Sequence, residues 1–271
     1  MEPVLVRHFS VSLADLPSAL DGLRIIHLTD LHARRWDRVL AGAQQVIMGL
    51  EYDLLAVTGD IGHRPDRWQD TAGLVRRFFA PLHSRHGNFA VLGNHDSPSL
   101  ASAEDLNLTF LRDQGVGVHH NGGDLWLAGV EQTEESPGSV SAALAGRVEG
   151  TAAVLLAHYP STVYEAARDH VELVLAGHTH GGQIRFPLLG CVWANDRIPR
   201  SMAQGLHGVD GTRLHVSAGI GLSGFLPARF RCPPELALLT LRAPTPTVSL
   251  DEERLEQPAE EIEVQKRPVA V

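Results

Sequence analysis

Asp30-Leu31-His32, Gly59-Asp60, Gly93-Asn94-His95-Asp96, His158 and Gly177-His178-Thr179-His180 follow one another along the chain, each with a side chain able to hold a metal ion. Two carboxylates (Asp30, Asp60), one amide (Asn94) and four imidazoles (His32, His158, His178, His180) suffice to seat two divalent cations, with His95 left beside them as an acid. The chemistry such a set performs is metal-assisted hydrolysis of a phosphoester. Asp30 and His32 stand two residues apart, so on an extended segment both side chains point the same way, and His178 and His180 share that spacing. Carboxylate, imidazole and amide oxygen together suit Mn²⁺, Fe²⁺ or Zn²⁺ better than Mg²⁺ or Ca²⁺, which prefer all-oxygen shells. Asp60 follows a glycine that lets backbone approach closely, and it is the expected bridge between two ions.

Each fragment alone has a plainer reading. An Asp-x-His is usually a surface accident, a Gly-Asp pair a turn, and a solitary histidine in apolar sequence a hydrogen-bonded core residue. What decides is that all five occur in order and at the ends of apolar runs. Leu23–Leu28 ends at Asp30, Asp53–Val57 at Gly59-Asp60, and Asn88–Leu92 at Gly93-Asn94. Open α/β sheets gather their ligands outside the carboxyl ends of the strands.

The elements that must position these residues follow from periodicity. Residues 3–13 and the three runs above read as strands, and further strand-like runs lie at 125–130, 152–157, 171–176, 213–218 and 236–241. Helix-like stretches cover 36–50, 67–82 and 102–114, the last opening on Ser102 as N-cap. Strands alternate with helices in the first half, which predicts βαβ units and a mostly parallel sheet; the strand-rich second half predicts a mixed one. The expectation is one α/β domain, residues 1–242, of two face-to-face sheets with helices outside. From residue 243 the composition turns to Pro, Glu and Val, and a disordered tail over 243–271 is expected.

Bulk properties agree with a globular enzyme. The chain has 271 residues, 44% hydrophobic and 20% charged. Two cysteines, Cys191 and Cys232, are too few for a disulfide scaffold and read as reduced apolar side chains. The net charge is −9, and the stretch from Asp251 to Val271 holds seven acids against three bases. With Lys266 the sole lysine and no basic stripe, nucleic acid is disfavoured as partner, and with it a nuclease. The start, MEPVLVRHFSVSLADLP, lacks a basic region followed by an apolar one, so the expected compartment is the cytoplasm.

The five blocks together resemble the calcineurin-like metallophosphoesterases over roughly residues 20–242. The resemblance implies a four-layer αββα sandwich with a dinuclear metal site between two mixed β-sheets. It implies that one ion takes Asp30, His32, Asp60 and His180, and the other Asp60, Asn94, His158 and His178. It further implies that His95 faces the scissile phosphate as an acid, with Asp96 supporting it, and that a hydroxide shared by the cations attacks in line. Gly59-Asp60-Ile61-Gly62-His63-Arg64 and Gly93-Asn94-His95-Asp96 depart from the Gly-Asp-x-Val-Asp-Arg-Gly and Gly-Asn-His-Glu blocks of the protein phosphatases in this superfamily. Gly177-His178-Thr179-His180-Gly181-Gly182-Gln183 instead looks like a bacterial phosphodiesterase branch, whose members are often membrane-associated. Because every ligand and His95 are intact, a non-catalytic scaffold on the same fold is disfavoured.

Substrate is then a small or lipid-linked phosphoester or pyrophosphate, with Gln183 and Arg229 as candidate contacts. Arg185–Gly190 and Gly219–Leu226 are apolar, glycine-bearing loops that could meet an acyl chain or the inner membrane face. The simpler expectation is that both pack against the sheet ends. His63, His119 and His120 read as solvated loop residues outside the site.

Overall fold

The computed structural model describes residues 4–223 and 228–244. In chain order the first half contains β1 (Leu5–Ser12), β2 (Arg24–Leu28), α1 (Arg38–Met48), β3 (Leu54–Thr58), α2 (Trp68–Phe79), β4 (Asn88–Val91) and β5 (Thr109–Phe110). The second half contains β6 (Gln114–His120), β7 (Gly123–Gly129), α3 (Val140–Ala143), β8 (Ala152–Leu156), α4 (Val163–Arg168), β9 (Leu173–Ala176), β10 (Arg185–Phe186), β11 (Gly190–Cys191), β12 (Gly205–Val209), β13 (Thr212–Val216) and β14 (Glu235–Arg242).

Two six-stranded sheets form, ordered β1-β14-β2-β3-β4-β5 and β12-β13-β9-β8-β7-β6. β2, β3, β4 and β5 run parallel, while β14 is antiparallel to β2. In the other sheet β7, β8, β9 and β13 are parallel, with β6 and β12 antiparallel at the edges. All five residues of β3 and of β8 are buried, as expected of central strands covered on both faces.

Alternation along the strands sorts the side chains into three apolar layers. Ile25, Leu54, Ala56 and Val91 face Leu127, Val154, Leu156 and Leu175 between the sheets. Ile26, Leu28, Leu55 and Val57 point outward to Leu40, Ala43 and Ile47 of α1 and Val75, Phe78 and Phe79 of α2. Across the molecule, Leu155, Val174 and Val216 pack on Val140 and Ala143 of α3 and Val163 and Ala166 of α4. The result is the helix–sheet–sheet–helix sandwich. The buried positions of α1 recur every three or four residues, and Asp37 caps its start by accepting from the amides of Val39 (2.9 Å) and Leu40 (3.0 Å).

One predicted element is absent. Instead of a helix over 102–114, a short 3-10 turn at Pro98–Ser102, opened by Ser97 rather than Ser102, leads into β5 and then β6. Asp105 and Asn107 sit at φ 60° and 56°, outside the helical region. The Asn107 amide donates to the carbonyls of Phe79 (2.9 Å) and Leu82 (2.8 Å), satisfying the end of α2 rather than extending a new helix. The predicted tail falls almost wholly on residues outside the described range. Both cysteines are free and buried. Among the described residues no helix is long and apolar enough to cross a membrane.

Candidate metal centre

The carboxyl ends of β2, β3 and β4 in one sheet and of β8 and β9 in the other meet at one edge of the sandwich, and all seven predicted ligands converge there. Asp60, just past β3, divides its carboxylate between two groups. Its Oδ2 lies 3.5 Å from His32 Nε2 and its Oδ1 3.4 Å from His158 Nε2. On the first side, His32 Nε2 lies 3.1 Å from His180 Nε2, which is 3.4 Å from Asp30 Oδ1. One ligand atom from each of Asp30, His32, Asp60 and His180 falls within 4.8 Å of the others. On the second side, His158 Nε2 lies 3.0 Å from Asn94 Oδ1 and 3.2 Å from His178 Nδ1.

Divalent cations fit this donor set. Asp30 Oδ1, which faces His180 Nε2 in the first group, is buried without a hydrogen-bond partner, which is costly unless something else satisfies it. The crowding of acceptor atoms has electrostatic consequences. Burial, offset in part by His158 and reinforced by Asp60, pushes the Asp30 carboxyl up to about 7. Burial also opposes charge on Asp60, but His158 and His32 hold it well below the usual carboxylate range. For His158 burial is outweighed by the Asp60 carboxylate, and its value rises to about 9. His32 is pushed down to about 4 and His178 to about 3, in both cases mainly by burial. A divalent cation among these groups would favour carboxylate and neutral imidazole at every position.

The backbone holding these side chains is strained. Asp30, His32, Asp60, His178 and His180 all have positive φ, between 42° and 67°. Glycines make the close approaches possible: a Cβ on Gly59 would lie 2.7 Å from the Gly93 amide nitrogen, and one on Gly177 would overlap the Thr29 hydroxyl. Strand-end loops are thereby pressed together more tightly than side-chain-bearing backbone permits.

Supporting contacts fix His158, Asp30 and Asp96. Thr58 O accepts from His158 Nδ1 (2.9 Å), which turns Nε2 towards Asp60. Asp30 Oδ2 accepts from the Thr29 hydroxyl (2.9 Å) and the His178 amide (3.1 Å). Asp96 is buried and accepts from the amides of Gly62 (2.7 Å), Gly93 (3.0 Å) and Ile61 (3.2 Å), tying the loops after β3 and β4 together. Burial first, and Asp60 second, raise Asp96 to about 7. His95 donates its backbone amide to Asp60 Oδ1 at 2.8 Å, and its ring centre is 5.2 Å from that of His32.

Several neighbours were not legible as site residues in sequence. Gln132, buried just beyond β7, accepts from the amides of His158 and Tyr159, both at 2.8 Å. Its position at a strand's carboxyl end was the available signal. The carbonyl of Asn195 meets His178 Nε2 at 2.6 Å, and the Tyr159 ring centre is 4.5 Å from that of His178. His63, expected in solvent, lies with its ring 5.7 Å from His32 and 6.4 Å from His95, nearly parallel to the latter. His119 and His120 belong to β6, not a loop; His120 is buried and pairs with His86 at 2.7 Å, away from the centre.

Gln183 and Arg229 lie in the loops behind the site. Gln183 Oε1 accepts from the Ser223 amide at 2.8 Å. The Arg229 guanidinium donates to the carbonyls of Ala218 (2.7 Å), Gly219 (3.1 Å), Gly221 (2.5 Å) and Cys232 (3.2 Å). Both apolar loops were expected to pack on the sheet ends. Ile220 does, but Phe186, Leu188, Leu189 and Leu222 are exposed, and Phe225 and Leu226 lie outside the described residues.

Residues 23–182 match the family model of the calcineurin-like phosphoesterases. The chain is 28% identical over 262 residues to the metallophosphoesterase YkuE of Bacillus subtilis, covering 90% of this chain and 88% of that one. It is 29% identical over 256 residues to the phosphodiesterase YaeI of Escherichia coli, covering 88% and 87%. A metallophosphoesterase of Helicobacter pylori is 33% identical over 240 residues, which are 81% of this chain and 60% of its relative's length.

Proposed function

The chain belongs to the calcineurin-like phosphoesterase family, a metal-dependent phosphoester hydrolase, and from that premise we propose that it is a dinuclear phosphodiesterase. The observation that supports this most is the division of Asp60 between two groups of ligand atoms, His32 with Asp30 and His180 on one side, His158 with Asn94 and His178 on the other. Two divalent cations there, Mn²⁺, Fe²⁺ or Zn²⁺, would lower the pKa of a shared water towards neutrality and bind the phosphate oxygens. His95, beside the first group, is the acid that donates a proton to the departing alkoxide, and Asp96 positions it by fastening the two loops on which Asp60 and His95 stand.

Gln183 and Arg229 act by shaping the loop after β13, since their polar atoms bind its backbone. The organic part of the substrate has room elsewhere. A cavity of about 590 Å³, lined by Tyr159, Glu165, Arg168, Asn195, Asp196 and Arg197 among others, is reached from the site through Tyr159 and Asn195, which both meet His178, and is within the size range of small-ligand sites. A small or lipid-linked phosphodiester fits this combination. The name of YaeI, a phosphodiesterase, supports the diester over the monoester. Turnover of bis-p-nitrophenyl phosphate and of p-nitrophenyl phosphate by Mn²⁺-loaded protein tests the reading. The expected result is a higher kcat/KM for the diester; preference for the monoester would reject the diesterase assignment, and inactivity on both with metal bound would reject catalysis.

A further inference from the structure

His63 lies within the metal centre yet is neither a ligand nor the acid. Its ring is edge-on to His32, with centres 5.7 Å apart at 75°, and nearly parallel to His95, at 6.4 Å and 17°. His95 is likewise edge-on to His32, at 5.2 Å and 67°. His32 is buried, whereas His63 and His95 are half-buried. Two near-parallel imidazoles thus stand against the same ligand ring and reach further towards solvent than it does.

Backbone contacts hold this placement. His32 donates its amide to Asp60 O (2.9 Å) and Ala33 to Ile61 O (3.0 Å), which joins the loop after β2 to the loop after β3. Asp96 accepts from the amides of Ile61 and Gly62, joining that second loop to the one that carries His95. Gly62 makes the closeness possible: a Cβ there would come 3.3 Å from Asp96 Oδ1 and 3.8 Å from the His95 carbonyl oxygen. Rings seated on loops tied in this way keep their separation without a bond between them.

The nitrogens of His63 show what the ring offers. Nδ1 is enclosed and has no hydrogen-bond partner, and among the described residues no group bonds Nε2 either. An orphaned buried N–H is rarer in proteins than an orphaned buried acceptor, which places the proton on Nε2, the solvent-side nitrogen. Burial first, and then the Arg34 guanidinium, lower the pKa, so the ring is neutral at neutral pH and keeps that single N–H. A histidine that only tied loops together would have a partner at one nitrogen. This one presents an unused donor beside the acid of the reaction. Rings 6.4 Å apart leave room for a hydrogen bond of ~2.8 Å from each to different oxygens of one phosphoryl group.

We propose that His63 contacts the substrate, its Nε2–H donating to a non-bridging oxygen of the phosphoryl group that His95 serves from the other side. The contact orients that group for in-line attack and strengthens as negative charge gathers on its oxygens in the transition state. His63 makes and breaks no bond; the leaving-group proton comes from His95. The inference rests on the phosphodiesterase reading and adds a substrate contact to it.

Inorganic phosphate titrated calorimetrically into Mn²⁺-loaded protein reads the contact without turnover, and bis-p-nitrophenyl phosphate reads it in catalysis. His63→Leu keeps bulk and removes the donor. It should weaken phosphate binding and lower kcat/KM for the diester, each by about ten- to a hundredfold, with metal content and Tm as in wild type. His63→Gln, whose amide places an N–H near the position of Nε2, should recover most of both losses. Unchanged phosphate affinity and turnover in His63→Leu would overturn the proposal. So would a loss accompanied by loss of metal, which would make His63 a support for His32, or a glutamine variant no better than the leucine one. Phosphate binding that depends on His63, in a wild-type protein inactive on the diester, would reject the enzymatic reading and leave the contact standing.

Discussion

Asp60 and His95 illustrate what single residues do here. The two oxygens of Asp60 serve different ligand groups, and one of them also accepts the His95 amide at 2.8 Å. Replacing Asp60 by Ala removes a shared oxygen donor from both groups, so Asp60→Ala should lose bound metal and activity together. With His95 proposed as the acid and not as a ligand, His95→Ala should retain metal while kcat falls by roughly 10²–10⁴-fold, the usual worth of a positioned acid. Metal analysis of the purified variants, alongside turnover, checks both; a fully active His95→Ala enzyme would remove that residue from its assigned role. The seven ligand candidates were readable in sequence because each lies in a short motif at the end of an apolar run. Thr29, Gln132, Asn195 and His63 were not, because their roles depend on which loop lies opposite, and spacing along the chain does not reveal that. Gln132 meets His158 across two strand ends separated by 26 positions.

At the scale of elements, hydrophobic runs located the central strands because those strands are buried on both faces. Of the edge strands, β1 was read at residues 3–13, but β6 (QGVGVHH) and β12 (GLHGV) escaped, interrupted by glycine and polar residues as edge strands with one wet face can be. The false helix at 102–114 failed at Asp105 and Asn107, where side-chain hydrogen bonding and positive φ overrode helix-like spacing. One cross-sheet contact yields a prediction of its own. His27 of β2 and His215 of β13 meet in the core with their Nδ1 atoms 2.8 Å apart, and His27 Nε2 bonds the Thr58 hydroxyl at 2.8 Å. Burial, then the His215 partner, holds His27 well below its ordinary value, and burial pushes His215 down to about 3. The folded state therefore keeps both rings neutral while the unfolded chain takes up protons near pH 6.5. Their contribution is complete above that pH and is lost as pH falls from about 6.5 towards 3, at up to about 1.4 kcal/mol per pH unit for each ring. Urea unfolding at pH 7.5, 6.0 and 5.0 should show a shallower acid loss in His27→Leu/His215→Leu than in wild type, and parallel slopes would show that the pair carries none of it.

For the molecule as a whole, the αββα sandwich explains why ligands spread over some 150 residues come together. Both sheets direct the carboxyl ends of their parallel strands to one edge, so each strand delivers a loop to the same place. The alternation of strand and helix in the first half made that architecture legible. The 185–190 hairpin was legible only as one of two alternatives, with packing on the sheet ends the simpler expectation, since exposure is a property of the assembled surface. Glycine and positive φ at the strand ends let the loops close until two sets of donors share one carboxylate. Anomalous diffraction from crystals grown with Mn²⁺ tests that sharing most directly. Two peaks about 3.5–4 Å apart are predicted, one on each side of the Asp60 carboxylate. A single peak, or two that do not both contact Asp60, would contradict a dinuclear centre built on it.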